Sequence, residues 1–153
     1  MKVDLKISDE RRKKIAHMLE HLLADTYALY LQTQNAHWNV KGANFFSLHL
    51  LYEKQYTEMA EAIDEIAERI QTLGFYVHGT FAALKKNCCV KEVEKPLNSG
   101  HMLKLLIQNH QALIACAREI EKVAQDHDGA TVDLMARRLG AHEKFLWMLS
   151  SHL

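Results

Sequence analysis

Four stretches of roughly 20 to 30 residues carry apolar side chains three and four positions apart, and none is interrupted by proline. That pattern constrains the chain more than any other feature. Pro96 is the sole proline and glycine occurs six times, too little turn material for an all-β sandwich. Ser8-Asp9 opens the first stretch, which is predicted to be helical to about Asn39, before Gly42 and Asn44 mark a turn. The second is predicted from Asn44–Ser47 to Leu73, with Gly74 just past its end. A long connection, residues 75–98, holds a short helical candidate at Thr80–Lys86. The third helix is predicted from Asn98 or Ser99 to about Gln125, and the fourth from Ala130 to Ser151 after an Asp128-Gly129 turn. Helices of this length joined mostly by short turns predict an all-α, antiparallel four-helix bundle with a short extra helix between the second and third. No repeat, linker or low-complexity tract divides the 153 residues, so one domain, 1–153, is expected.

Composition narrows the function classes. Nineteen basic residues balance nineteen acidic ones, so no strong overall field draws in nucleic acid or membrane. No apolar run reaches the roughly 18 residues of a membrane span, and no secretory signal is expected from MKVDLKISDERRKK. Three cysteines, two of them adjacent (Cys88, Cys89, Cys116), do not make a disulfide framework, and reduced thiols in a cytoplasmic setting are expected. Ten histidines stand out, because imidazole is the commonest metal ligand.

The second helix has two faces. Met59, Ile63, Ile66, Ile70 and Leu73 form an apolar seam, as Leu103, Leu106, Ile107, His110, Leu113, Ile114, Ala117 and Ile120 do on the third. About 120° away on the wheel lie His49, Glu53, Asp64 and Glu68, with Ala60 and Ala67 between them. Imidazole and carboxylates among small side chains suit an interface that holds hard or borderline cations; a solvated charged face is the alternative. Glu68 lies 19 residues beyond His49, some 28 Å along a straight helix at about 1.5 Å per residue. The two ligand pairs therefore cannot serve one ion within one chain. If they cooperate, the second pair comes from another copy across a two-fold axis. His37, at the end of the first helix, is a further candidate, a hydrogen-bonded core imidazole being the other reading. No Glu-x-x-His occurs, which argues against an intrachain carboxylate di-iron centre.

Three segments then become recognisable: Ala24–Gly42 with His37-Trp38-Asn39-Val40, Phe45-Phe46-Ser47-Leu48-His49, and Asp64-Glu65-Ile66-Ala67-Glu68-Arg69. Together with Ala141–Met148 they resemble the Dps family of mini-ferritins over nearly the whole chain. The resemblance implies a ferritin-like fold and a two-iron ferroxidase centre shared between subunits. It would take His37, His49 and Glu53 from one chain and Asp64 and Glu68 from its partner. Glu53 stands where several members have Asp, and remains a hard oxygen donor. Trp38 would be the indole beside the site, and Lys54 a basic residue near it. The resemblance further implies a hollow homo-dodecamer of 23 symmetry, built on two-fold dimers, that oxidises Fe(II) with hydrogen peroxide in preference to dioxygen. Asp126, Asp128 and Asp133 would line a three-fold cation pore; the alternative is that Asp128 caps a helix and Asp126 is solvated.

The family name raises DNA binding as a second function. The first fourteen residues hold Lys2, Lys6, Arg11, Arg12, Lys13 and Lys14 against Asp4, Asp9 and Glu10, but much of that charge is expected within the first helix. DNA is therefore not the favoured partner, though a nucleoid location stays open. His17 and His21, one helical turn apart, have metal-chelating spacing, with surface packing as the other reading. His110 and His142 fall on apolar faces and are expected in the core. The sequence assigns no role to the cysteines.

Overall fold

A computed structural model of the chain describes residues 4–153, and Lys2, counted above in the basic N-terminus, lies outside them. Five helices follow one another: α1 Asp9–Asn39, α2 Phe45–Thr72, α3 Phe81–Asn87, α4 Ser99–Ala124 and α5 Gly129–Ser150. Their limits follow from local chemistry. The side chains of Ser8, Thr80, Asn98 and Asp128 each accept a backbone N–H of the first turn, satisfying a donor the helix cannot. After α2, Gly74 takes φ +93°, a backbone state that a side chain resists, and the helix stops. Arg12, one turn into α1, donates to the Leu73 carbonyl at 2.7 Å and so caps α2 from its neighbour.

Helix α1 packs against α2 and α4, and α5 against α4 and α2, so α2 and α4 sit diagonally across the bundle. Short turns make α1–α2 and α4–α5 antiparallel hairpins. Arg12 touches Leu73 at one end of the bundle, whereas Ser99 exchanges hydrogen bonds with Lys41 at the other. The connection between α2 and α4 must therefore run the length of the bundle. Along the way α3 packs on α1, and buried Asp25 accepts the backbone N–H groups of Cys89 and Val90 at 2.6 and 3.0 Å. Asn109 holds the next residue, giving to the Lys91 carbonyl and taking its N–H.

The core is the interior of the four long helices: Ile15, Leu19, Leu22 and Leu29 meet Met59, Ile66, Ile70, Leu106, Leu113 and Ile120, all fully buried. Each such side chain contributes about 1.5–3 kcal/mol. Ile63, Ile107 and Ile114 of the expected seams are only half-buried, so the apolar stripes are wider than this core. The three cysteines are unbridged. Burial pushes the Cys88 and Cys116 thiols up to about 11, which leaves them unreactive near neutral pH. No helix among the described residues is long and apolar enough to cross a membrane.

Candidate metal centre

The turn at residues 40–44 folds the last turn of α1 against the first turn of α2 and brings two of the predicted ligands together. His37 and His49, twelve residues apart, stack with ring centroids 3.8 Å apart and planes inclined by 18°. Nδ1 of His37 lies 2.8 Å from the His49 carbonyl, and Nδ1 of His49 lies 2.9 Å from the His37 carbonyl. A carbonyl only accepts, so both Nδ1 atoms carry hydrogen. In the neutral rings both Nε2 atoms then keep their lone pairs, the state a metal needs. The local sequence explains the arrangement. The His37 carbonyl belongs to the open C-terminal turn of α1, and Lys41 N–H, four residues on, goes to Ser99 instead. Phe45 stacks on His49 at 5.1 Å and Tyr56 meets the His37 ring edge-on at 5.3 Å, which fixes the pair from both sides.

The other predicted ligands stand apart from the pair. Glu53 is exposed one turn beyond His49, and Asp64 and Glu68 are exposed farther along α2. Among the described residues of the chain, no three His, Cys, Asp or Glu side chains converge on a metal position. Trp38, beside the pair, is 64% exposed. Lys54 is exposed, and no ion pair to a carboxylate is formed by it among the described residues.

The three aspartates at the start of α5 differ. Asp128 is 3% exposed and fully engaged: it caps α5 through Thr131 N–H and hydroxyl, and accepts from Arg69 at 2.6 Å. Although burial alone would raise it, the Arg69 and Thr131 hydrogen bonds hold its carboxyl below the usual range. Its capping alternative thus has a structural basis. Asp126 is exposed at φ +66°, and Asp133 is exposed and paired with Arg137 at 3.1 Å. Of the basic N-terminal residues, Arg11 to Lys14 belong to α1; Lys6 pairs with Asp4 and Arg12 with Asp9.

Sequence reasoning missed two cross-helix contacts. Arg69, the last residue of the α2 motif, ties α2 to the start of α5 through Asp128 and Thr131. Arg138, 3% exposed, forms a two-pronged ion pair with Glu58 of α2 and touches His142, which in turn meets His110. A buried arginine leaves no periodic signal, since it occupies an apolar position with a charged residue.

The helical topology and a histidine pair at a surface turn place the chain in a class: residues 16–153 match the ferritin-like domain. Its relatives narrow this further. The chain is 38% identical to a DNA protection during starvation protein of Porphyromonas gingivalis, covering 99% of this chain and 98% of that one. It is 35% identical to a low temperature-induced protein of Nostoc, over 99% of this chain and 87% of the relative. The crystal structure of a Vibrio cholerae Dps protein, described as one of a broad superfamily of ferritin-like diiron-carboxylate proteins, superposes with a TM-score of 0.90. That pair shares 31% identity over 99% of this chain and 96% of the other. The chain belongs to the Dps family.

Proposed function

We propose that this protein is a ferroxidase that takes up Fe(II), oxidises it with hydrogen peroxide and stores the ferric product in a hollow cage of twelve chains, so protecting the cell from oxidative damage. The observation that carries this reading is the His37–His49 pair, with both Nδ1 atoms spent on carbonyls and both Nε2 atoms left basic. Iron is the substrate. Two histidines and Glu53 from one chain, with Asp64 and Glu68 from its two-fold partner, would hold two Fe(II) ions. Two Fe(II) ions give one electron each to one peroxide, whose O–O bond breaks; two protons are taken up, and two Fe(III) ions and two waters result. Paired delivery avoids hydroxyl radical. Imidazole with carboxylate is a donor set that suits ferrous iron. Exposed Asp126 and Asp133 would supply the negative field of a cation pore, and Trp38 and Lys54 would flank the centre.

The separation of the ligand pairs along α2 supports a centre built by two chains, and gives a decisive experiment. A chain with His37→Ala and His49→Ala, and a chain with Asp64→Ala and Glu68→Ala, should each oxidise Fe(II) poorly alone. In a mixed dimer both defects fall on one centre, and the other is complete. Co-assembly should therefore restore oxidation; none in verified mixed dimers refutes the shared site. DNA protection, which the relatives' names suggest, is the second reading. It is not favoured, because Arg11 to Lys14 are built into α1. A gel shift that persists at low salt and fades steeply as salt rises would revive it.

A further inference from the structure

A different histidine pair lies on α1 and takes no part in the centre above. His17 and His21 are one turn apart and so share a face, about 30 and 24 Å along the helix from His37 at roughly 1.5 Å per residue. Their ring centroids are 4.9 Å apart and their planes inclined by 83°. Two imidazoles that bind one ion through single nitrogens at about 2.1 Å, with an angle near 100° at the ion, have centroids about 5 Å apart. Each ring also has a neighbour of the kind that supports a ligand. Nδ1 of half-buried His21 donates to the carbonyl of Asn87, the last residue of α3, at 2.8 Å. That bond sets the ring's orientation and leaves the lone pair on Nε2, as at His37 and His49. His17 is exposed, and its Nδ1 lies 3.7 Å from a Glu20 carboxylate oxygen, a negative charge that offsets Lys13 and Lys14 one turn earlier.

We propose that His17 and His21 chelate a borderline divalent cation of the Zn(II), Ni(II) or Cu(II) kind on the outer α1–α3 face. Among the described residues no third imidazole, thiol or carboxylate completes the set, so water fills the remaining positions. Nitrogen donors with water favour these ions over Mg(II) and Ca(II), which take oxygen cages. Because Asn87 fixes one of the two rings, occupancy also ties α3 more firmly to α1.

Zn(II) is the probe, measured by equilibrium dialysis against iron-free protein. The His37→Ala/His49→Ala variant removes the first pair from the count, and should still bind one zinc per chain. Adding His17→Ala, an exposed position whose loss leaves the Asn87 bond intact, should abolish that zinc. Cu(II) bound to the first variant should show nitrogen couplings from two imidazoles in electron paramagnetic resonance, and from no more than one after His17→Ala. If the His37→Ala/His49→Ala variant binds no zinc, or if His17→Ala leaves its stoichiometry unchanged, the proposal is overturned. Neither result bears on iron oxidation at the other pair.

Discussion

His37–His49 and His110–His142 each join two helices linked by a short turn, and they are opposites in chemistry. In the first pair both Nδ1 atoms donate to backbone carbonyls near the surface, and the second nitrogens are free. In the second pair the rings bond to each other, Nδ1 to Nδ1 at 3.0 Å, and both residues are fully buried. Arg138 approaches Nε2 of His142, which must accept. His142 Nδ1 then carries the proton shared with His110, and His110 Nε2–H is left buried with no protein acceptor. A carbonyl partner frees an imidazole for ligation, whereas an imidazole partner consumes it. Residue type does not separate these outcomes; the partner does.

Acid should act on the second pair most strongly. Burial, then the Arg138 charge, lowers His110 to about 3; burial, then His110 and Arg138, takes His142 well below 6.5. Between those values and 6.5 the unfolded chain binds protons that the folded one refuses. The contribution is whole above pH 6.5 and is lost as pH falls from there toward 3, at about 1.4 kcal/mol per pH unit for each proton. Melting temperature should fall across that window, and His110→Leu/His142→Phe should flatten the fall. An equal slope in the double variant would break the contrast.

Glu58→Ala comes next. It strands a buried Arg138 guanidinium, at a cost of about 3 kcal/mol in denaturant titrations, without slowing Fe(II) oxidation. His37→Ala should do the reverse: oxidation by peroxide, followed in a stopped-flow spectrometer, drops about ten- to a hundredfold while the melting temperature holds. A variant that oxidised iron normally but melted early would assign that pair to the core instead. Smallest of all, His110→Leu/His142→Phe at pH 7.5 should shift stability by less than about 1 kcal/mol, because it replaces a pair with one unmet donor by apolar groups.

Features set within a few residues were legible in the sequence. Ser8, Asn98 and Gly74 mark helix ends by chemistry that needs no neighbour, and the four long helices and α3 fall close to their expected limits. The fold class and the family followed. Partnerships between helices were not legible. Asp128 reads in the sequence as a pore acid or a helix cap, and its ion pair with Arg69, 59 residues away, leaves no local signal. His37 and His49 were visible as ligand types, but their exchange of carbonyls depends on the angle of a five-residue turn. Asp64 and Glu68 remain solvent-facing side chains in a single chain, since spacing along α2 puts them beyond reach of the histidines.

The strap between α2 and α4 is held by side chains of α1 and α4, namely His21, Asp25, Gln32 and Asn109, and not by its own length. Lengthening such a loop is thermodynamically inexpensive, about 0.6 kcal/mol for each doubling. Residues 92–96 are exposed beyond the last of these clasps. Foreign peptide spliced there leaves every clasp in place, whereas the same peptide spliced between Cys89 and Val90 separates two N–H groups that one carboxylate oxygen holds. The chain thus carries a permissive insertion point a few residues from a forbidden one.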